Sequence, residues 1–428
     1  MYVIKAQQVL TMPQDEGQLA NYEVGKGMQE RDDAIVGLIE EGAVIVDDER
    51  EQIDWVGEAK DLPERAAEYP TMETQVVMPG WIDCHTHAVF AGERSEEFML
   101  RNAGTPYVEI LEAGGGILNS VDALRQSSTQ ELVESLLRRV YRSVQLGVTT
   151  MEVKSGYGLT TSDELKSLKA VEQASEEAPC ELTACFLGAH AIPRNYRDRR
   201  QAYVDLVVEE MIPAVAEAGL ADYCDVFCDR GAFDADEARR ILTKGQEHGL
   251  VARIHADEIT DAGAAALAAQ VGCASADHLE HTPPEGIAAM VEAGVTAVLM
   301  PAVNLYLGTL DELAPARAIL EAGGEVALAS DFNPGSAMTQ DMGWILNLGC
   351  TLYKMTPGEA LYGVTRAAAS ALDREDIGAL ESGARADLAC FSVPHYRYLP
   401  YHPGQSHAEV VIHRGTAVYW TDELLFDG

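Results

Sequence analysis

Residues 79–87 read PGWIDCHTH and join a short apolar strand to two histidines spaced two positions apart. Side chains at this spacing in extended backbone point to the same side, so His85 and His87 are predicted to face a common point. Two neutral imidazoles on one side form a natural half-site for a divalent or trivalent transition metal, although such pairs also occur without one. The stretch therefore predicts a strand that ends in a candidate metal-binding pair.

This stretch overlaps the first of eight apolar, strand-like runs that alternate with helical segments. The runs cover residues 76–83, 148–154, 182–188, 223–228, 251–255, 274–279, 296–300 and 326–330. Eight strand–helix repeats predict an α/β fold, and they match a (β/α)8 TIM-like barrel better than a doubly wound sheet. We therefore expect residues 79–382 to form the barrel.

Both ends of the chain have a different pattern. Short alternating runs occupy residues 1–78, where a polar, acidic stretch from Gln14 to Asp33 interrupts them, and residues 383–428 return to the same style. Alternation with a period of two is typical of half-buried strands. We expect residues 1–78 and 383–428 to form one small β-sandwich domain built from both termini. The sequence assigns no role to the acidic stretch.

One connecting helix is predicted in detail. Ser128 and Glu131 have the spacing of a capping box, and Gly147 stands where a C-terminal cap is expected. An apolar stripe with the helical period lies between these signals. Its members are Leu132, Leu136, Val140 and Val144.

The composition is strongly acidic. Among 428 residues, 69 Asp and Glu stand against 31 Lys and Arg, which gives a formal net charge of −38. Nucleic acids and anionic membranes need a basic footprint, so neither is expected as a partner. The acidic excess is spread along the chain, and molar salt, by shortening the Debye length to about 3 Å, would relieve the repulsion. We therefore expect a halophilic protein from a salt-rich cytoplasm.

Targeting and redox features favour the same compartment. Residues 1–13 lack a basic segment followed by a long apolar one, and no stretch reaches the ~18 apolar residues of a membrane span. The eight cysteines show no CxxC pair and no short disulfide framework, and Cys224 and Cys228 are expected to be buried in a strand. Reduced thiols in the cytoplasm are the simplest interpretation.

Six of the 11 histidines lie at or just beyond the C-terminal ends of the predicted strands. They are His85, His87, His190, His255, His278 and His281, and Glu258 and Asp331 fall in equivalent places. In a barrel these ends converge on one face. Adding His255 and Asp331 to the first pair gives three nitrogens and one oxygen with space for a water. That donor set is typical of a catalytic mononuclear site, since structural sites usually close their shell with cysteine.

Several longer sequence motifs resemble those of a known family. They are HTHAVFAGER (85–94), GGGI (114–117), EVKSGYGL (152–159), FLGAHAIP (186–193), IHADE (254–258), ADHLEH (276–281), SDFNPGS (330–336) and IGALESGARADL (377–388). With PGWIDCHTH, they make the chain similar to the amidohydrolase superfamily, whose members are metal-dependent hydrolases of amides and related C–N bonds. Within that superfamily the chain most closely resembles the imidazolonepropionases.

The resemblance has specific implications. It implies hydrolysis of the cyclic amide of 4-imidazolone-5-propanoate to N-formimidoyl-L-glutamate in histidine degradation, by a homodimer with one zinc or iron ion per subunit. The implied metal ligands are His85, His87, His255 and Asp331. The implied substrate contacts are Arg94, Tyr157, His190, Glu258, Asn333, Gly335 and Ser336.

The chemistry of these residues suits such a reaction. Arg94 offers a planar donor fork for the propionate, and Tyr157 lies between two glycines in a loop beyond a strand. Both also have ordinary alternatives, a salt bridge for the arginine and packing for the tyrosine. Lys154 could equally be a buried ion-pair partner and is assigned no role.

Ring opening adds water to the lactam carbonyl and expels the ring nitrogen. Metal coordination lowers the pKa of water from 15.7 to about 7. Asp331 could accept the water's proton and His278 could orient the water or act as the base, so the choice between them stays open. Glu258 is a candidate acid/base partner for the ring nitrogens, and His190 could hydrogen-bond the carbonyl oxygen.

Other functions are weighed against this one. Binuclear amidohydrolases carry a carboxylated lysine at the fourth strand, whereas the run here ends at Cys228-Asp229-Arg230, so a second permanent metal is not expected. The alternative enzyme is a deaminase of cyclic amidines or nucleobases, against which Arg94 and Tyr157 argue. A metal or small-molecule sensor without catalysis is the alternative of a different class, and turnover would exclude it.

Overall fold

A computed structural model describes residues 1–14, 17, 19–20, 27–105 and 115–421. The strands, numbered in chain order, are β1 Tyr2–Leu10, β2 Leu38–Asp47, β3 Gln52–Glu58, β4 Thr71–Pro79, β5 Trp81–Asp83, β6 Val148–Lys154, β7 Glu181–Ala189, β8 Tyr223–Cys228, β9 Val251–Ala256, β10 Ser275–His278, β11 Thr296–Leu299, β12 Val326–Leu328, β13 Leu388–Phe391, β14 Ala408–His413 and β15 Thr416–Trp420. They form two sheets.

The helices of the described ranges lie mainly between the barrel strands. They are α1 Met28–Ile35, α2 Ser95–Asn102, α3 Ile117–Gln126, α4 Thr129–Val144, α5 Thr161–Ser175, α6 Arg200–Leu206, α7 Ile212–Ala218, α8 Ala235–Glu247, α9 Ala264–Val271, α10 Pro284–Ala293, α11 Pro301–Leu307, α12 Ala316–Glu321, α13 Met342–Thr351, α14 Pro357–Gly363, α15 Arg366–Ala371 and α16 Tyr398–Tyr401. Within these ranges, none combines the length and apolar character that crossing a bilayer requires.

Strands β5 to β12 follow one another in a parallel eight-stranded sheet. The first and last strands approach each other through the segments that follow them. Backbone hydrogen bonds join Asp331 N–H to His85 C=O at 3.1 Å and His87 N–H to Phe332 C=O at 3.1 Å. The predicted α/β fold with a (β/α)8 barrel is therefore confirmed. This closure also brings the segment after β5 against the segment after β12.

The strands near the two termini form one seven-stranded mixed sheet in the order β15-β14-β13-β4-β1-β2-β3. Apolar residues cover both of its faces: Ile4 and Val44 belong to one buried cluster, and Val3 and Ala43 to another. The prediction of a β domain built from both chain ends is confirmed, and its described strands form one mixed sheet where a sandwich would have two. The domain boundaries at residues 78/79 and 382/383 stay a prediction.

The first predicted run, residues 76–83, is two strands rather than one. The break falls at Gly80, after which the chain leaves the mixed sheet at β4 and enters the barrel at β5. A Cβ at Gly80 would lie 2.2 Å from side-chain atoms of Thr149, so the backbone crosses between the sheets where no side chain fits. Continuous hydrophobicity concealed the change of sheet, because both strands are buried.

Helix α4 has the predicted start and apolar stripe. Ser128 and Glu131 form a reciprocal capping box, and the four residues of the predicted stripe are buried. The prediction of Gly147 as the C-terminal cap is wrong: the helix ends at Val144, its cap is Gln145, and Gly147 follows two residues later with φ 107, a conformation that favours glycine. The glycine therefore ends the turn beyond the helix.

The end of the acidic stretch contacts the barrel. Asp32 is buried and accepts a hydrogen bond from the backbone N–H of Gly358 at 3.0 Å, and it also contacts the hydroxyl of Thr356 at the start of α14. Arg31 donates to Glu359 at 2.7 Å. These contacts attach residues 31–32 to helix α14, a role the sequence did not reveal. Residues 15, 16, 18 and 21–26 of this stretch lie outside the described residues.

Candidate metal and substrate site

The four predicted metal ligands come together at the C-terminal ends of the barrel strands. Nε2 of His87 lies 3.4 Å from Nε2 of His255 and 3.3 Å from Oδ1 of Asp331. Nε2 of His85 lies 3.5 Å from the same Asp331 oxygen. All four side chains are buried. Ligand atoms of His85, His87 and Asp331 therefore lie within 4.8 Å of one another, and so do those of His85, His255 and His278.

Two carboxylates orient these histidines from behind. Nδ1 of His85 lies 2.6 Å from Asp277 Oδ2, and Nδ1 of His255 lies 3.0 Å from Asp225 Oδ2. An N–H at Nδ1 that donates to a carboxylate leaves the Nε2 lone pair free as a ligand and makes it more basic. Asp277 and Asp225 therefore set the tautomer that metal binding requires.

The donor set fits one transition metal ion. Nε2 of His85 and Oδ1 of Asp331 are buried and have no hydrogen-bond partner in the described part of the chain. A tetrahedral ion with bonds of about 2.0–2.1 Å holds its ligand atoms about 3.3–3.4 Å apart. The observed separations of 3.3–3.5 Å match that spacing. Burial also lowers the pKa of His85 and His87 well below the ordinary value, which keeps both imidazoles neutral.

A buried lysine lies beneath the histidines. Nζ of Lys154 lies 2.8 Å from Glu152 Oε1 and 2.8 Å from Asp225 Oδ2, and all three side chains are fully buried. Burial opposes the charge, but these carboxylates outweigh it and raise the pKa of Lys154. Glu152 in turn accepts from the backbone N–H of Thr86, between the two histidines, at 3.0 Å. Of the alternatives left open, the structure therefore places Lys154 in an ion pair.

His278 lies beside the metal ligands between two glutamates. Its Nε2 is 3.7 Å from Glu258 Oε2, and its Nδ1 is 4.0 Å from Glu280 Oε2. Burial lowers the pKa of His278, but the two carboxylates more than compensate and raise it to about 8. The arrangement can hold a proton on His278 at neutral pH. Its φ of 81 is rare for a residue with a side chain, and such backbone strain clusters at functional sites.

His190 and Tyr157 lie on the other side of His87. The His190 ring stacks on His87 with centroids 5.0 Å apart, and Tyr157 lies 5.4 Å from His190. Nδ1 of His190 is 3.1 Å from the carbonyl oxygen of Gly156, so Nδ1 carries the proton and donates. Burial lowers the pKa of His190 well below its ordinary value. Its neutral ring is therefore fixed in place beside the donor set.

Arg94 pairs with a residue that the sequence did not single out. Its Nε and Nη2 donate to one oxygen of Glu97 at 2.9 and 2.7 Å. Its Nη1 lies against Gly335, where an added Cβ would be 2.2 Å away. Burial raises the pKa of Tyr157, and the nearby positive charge of Arg94 opposes that rise. Arg94 therefore lies against Gly335, and its charge acts on the Tyr157 phenol.

Asn333 and Ser336 hold the loop that carries Asp331. The Asn333 amide donates to Asp331 Oδ2 at 2.9 Å, and its carbonyl accepts from the backbone N–H groups of Gly335 at 2.7 Å and Ser336 at 2.8 Å. The Ser336 hydroxyl accepts from the same amide at 2.9 Å. The predicted substrate contacts of these residues stay predictions, and their observed contacts are within the loop.

Sequence reasoning missed the supporting charges. Besides Glu97, they are Glu152, Asp225, Arg253 and Asp277, all buried. One signal was available, because each of these four lies inside a strand of otherwise apolar character. Charged residues are almost never fully buried unless they are paired, so such positions predict ionic contacts. Which groups pair across strands depends on the barrel's register. His281, one of the six histidines near strand ends but not among the predicted site residues, donates its backbone N–H to the Asp257 carbonyl oxygen at 2.8 Å.

Comparison with known proteins agrees with this architecture. Solved structures with the same fold include atrazine chlorohydrolase of Arthrobacter aurescens complexed with zinc, at 19% identity and TM-score 0.68, covering 97% of this chain and 95% of that one. Ochratoxinase of Aspergillus niger superimposes with a TM-score of 0.70 at 17% identity, covering 98% and 96% of the two chains. The family model described as the amidohydrolase family matches residues 97–419. The chain belongs to the amidohydrolase family.

The relatives narrow the family further. Imidazolonepropionase of Myxococcus xanthus is 48% identical over 368 residues, which are 85% of this chain and 87% of that protein. Imidazolonepropionase of Shouchella clausii is 43% identical over 425 residues, 98% of this chain and 92% of its own. Within the amidohydrolases, the chain is a member of the imidazolonepropionase family.

Proposed function

We propose that the chain is a hydrolase that opens the cyclic amide of 4-imidazolone-5-propanoate to N-formimidoyl-L-glutamate, a step of histidine degradation. The supporting observation is the convergence of His85, His87, His255 and Asp331 in a chain so similar to imidazolonepropionases. The reaction cleaves a C–N bond, as expected of an amidohydrolase.

The four ligands hold one zinc or iron ion per subunit in this proposal. When bound, the ion supplies Lewis-acid chemistry, lowering the pKa of water and polarising the carbonyl. Both metals suit imidazoles combined with a carboxylate. Asp277 and Asp225 keep the ligand histidines in the required tautomer.

The remaining residues bind substrate and move protons. Arg94 and Tyr157 bind the propionate, and Asn333, Gly335 and Ser336 contribute from the loop that Arg94 contacts. His190 is neutral with its proton on Nδ1, so its Nε2 accepts a hydrogen bond from a water that in turn donates to the carbonyl oxygen.

Proton transfer is shared by three groups. Asp331, or His278 in its unprotonated form, takes the proton from the attacking water. Glu258, 3.7 Å from His278, receives a proton from this pair and passes it to the departing ring nitrogen. Water adds to the lactam carbon, the C–N bond breaks, and the nitrogen leaves as a neutral group. Because the broken bond lies within the ring, a single product forms that carries the new carboxylate and the amidine and contains the atoms of substrate and water.

The test is an assay in molar potassium chloride, with 4-imidazolone-5-propanoate generated in place and N-formimidoyl-L-glutamate quantified. Chelator should abolish turnover, and added metal should restore it. Arg94→Ala should raise KM strongly. Arg65→Ala, which removes an exposed arginine paired with Asp54 in the terminal unit, is the matched control and should behave as wild type.

Each failure has a distinct meaning. Product formation that survives complete metal removal contradicts the metal-dependent mechanism. Folded, metal-loaded protein that forms no product contradicts the assignment, and release of ammonia from a cyclic amidine would then indicate the deaminase alternative.

We infer from composition and relatives a cytoplasmic, halophilic homodimer whose binding partner is the small substrate rather than nucleic acid or membrane. We propose the same domain division, with residues 1–78 and 383–428 in the terminal β unit and 79–382 in the barrel. A net charge of −38 supports the halophilic part of this proposal.

A further inference from the structure

Glu97 lies in the first turn of α2, three residues after Arg94, and its side chain is 11% exposed. One of its oxygens, Oε2, accepts both Nε and Nη2 of Arg94, at 2.9 and 2.7 Å. The contact therefore occupies the side edge of the guanidinium. Two charge-assisted hydrogen bonds in this geometry fix both the position and the plane of the fork.

The other end of the guanidinium is not engaged by Glu97. Nη1 is directed to Gly335, against which an added Cβ would be 2.2 Å away. A guanidinium has donors on two edges, so a carboxylate on the Nε edge leaves the edge formed by its two terminal nitrogens for a second carboxylate. Glu97 therefore binds Arg94 and leaves the donor edge formed by Nη1 and Nη2 available for another carboxylate.

Glu97 also fixes a second element. Its Oε1 accepts from the backbone N–H of Gly116 at 3.0 Å, immediately before helix α3 begins. The two oxygens of one carboxylate thus join Arg94 to the start of α3. A glutamate held at both oxygens is a rigid support, because moving it would break three hydrogen bonds.

A second arginine contacts the same loop. Arg101, one helical turn beyond Glu97, donates to the Gly335 carbonyl oxygen at 3.2 Å. The guanidinium groups of Arg94 and Arg101 therefore both lie against Gly335, and cationic groups at this loop suit the binding of a substrate carboxylate.

We propose that Glu97 is a positioning residue that fixes the Arg94 guanidinium for the carboxylate of the substrate. The inference rests on the proposed function, whose substrate carries a propionate. Without Glu97, the fork is free to rotate and must be ordered again when substrate binds. The penalty falls on binding of the carboxylate rather than on the bond-breaking step.

Glu97→Ala should therefore raise KM about tenfold while kcat changes little, because removing charge-assisted hydrogen bonds costs on that scale. Glu97→Gln keeps one acceptor oxygen without the charge and should lie between wild type and the alanine variant. Glu96→Ala, which removes an exposed carboxylate from the same helix turn, should leave both constants unchanged. A lower KM in Glu97→Gln would instead mean that Glu97 acts by repelling substrate, and would overturn the proposal.

A binding measurement keeps this test independent of turnover. Calorimetry of the metal-loaded protein would compare imidazole-4-propanoate with 4-methylimidazole, which lacks the carboxylate. Glu97→Ala should weaken the propanoate about tenfold and leave the methyl compound unaffected. Equal weakening of both probes, or no preference of the wild type for the propanoate, would overturn the proposal. Wild-type preference for the propanoate without turnover would contradict the proposed reaction alone.

Discussion

Replacing Asp277 by asparagine tests the carboxylates that lie behind the histidines. Asp277 is fully buried, and its Oδ2 lies 2.6 Å from Nδ1 of His85 and 3.1 Å from Nη2 of Arg253. Its other oxygen accepts from the Ser275 hydroxyl at 2.6 Å. Asparagine keeps the shape and one acceptor oxygen but removes the charge. Any effect therefore reports the ionic part of these contacts.

Two losses of different kinds are expected. Loss of a carboxylate that accepts from a metal-binding imidazole reduces metal affinity by roughly ten- to a hundredfold, or about 1.4–2.8 kcal/mol. Separately, Arg253 loses the carboxylate with which it forms an ion pair in the described residues. Leaving one partner of a buried pair without the other costs about 3–5 kcal/mol in the free energy of unfolding.

A second substitution separates these losses. Arg253→Met in the Asp277→Asn background removes the unpaired cation, so the free energy of unfolding should recover while metal affinity stays low. Denaturant unfolding of metal-free protein and competition with a chromophoric chelator measure the two quantities. Asp122→Asn is the control, because Asp122 forms an exposed ion pair with Arg194. It should change the free energy of unfolding and the free energy of metal binding by less than about 1 kcal/mol each. Metal affinity that is unchanged in Asp277→Asn, or that recovers together with stability, would refute the reasoning.

Three further outcomes are expected. Arg385→Met should lower the free energy of unfolding by about 3–5 kcal/mol in denaturant titrations, because it strips a buried cation from Asp387. Burial raises the pKa of Asp387, but hydrogen bonding from His413 and the Arg385 charge more than compensate, and the pKa is lowered. Ionised Asp387 therefore stabilises the fold above about pH 4, and this stabilisation is lost as the pH falls toward the lowered pKa of the folded state. Arg385→Met should weaken this pH dependence, which is measured by following the free energy of unfolding at decreasing pH. Gly80→Ala should lower the free energy of unfolding by about 1–3 kcal/mol in the same titrations, because the added methyl group would clash with Thr149. Unchanged stability would contradict the close approach of Thr149 to the backbone at Gly80. Lowering potassium chloride from about 1 M to 0.1 M lengthens the Debye length from about 3 to 10 Å and should lower Tm, whereas a salt-independent Tm would contradict the halophilic interpretation.

The fold was largely predictable because its signals are local and repeated. Each barrel strand is a short apolar run, and the capping box of α4 is encoded within four residues, Ser128 to Glu131. The change of sheet at Gly80 was not predicted, because its signal is not local. Residues on both sides of it are buried and apolar, and only the approach of Thr149 from the next strand shows that the chain changes sheets there. That contact is tertiary and has no local signature.

The same distinction applies to the site. Residues just beyond strand ends were identifiable, since a barrel places such positions on one face, and His85, His255 and Asp331 do converge there. The partner of Arg94 could not be identified from the sequence, because a glutamate three residues after an arginine ordinarily forms an exposed ion pair on a helix surface. The burial of Glu97 and its hydrogen bond with the backbone N–H of Gly116 depend on where α3 begins.

The carboxylates behind the metal ligands connect these two observations. TIM-barrel interiors are ordinarily filled by branched apolar side chains, yet here Glu152, Lys154, Asp225, Arg253 and Asp277 are buried inside the strands. Such a network is a poor source of stability, because desolvating the charges offsets their attraction. Its placement is better explained by geometry. Asp225 and Asp277 each contact a histidine on one side and a cation on the other, so both carboxylates are held in place where the histidines need acceptors. Below the site, the barrel core therefore orients ligands at the expense of apolar packing.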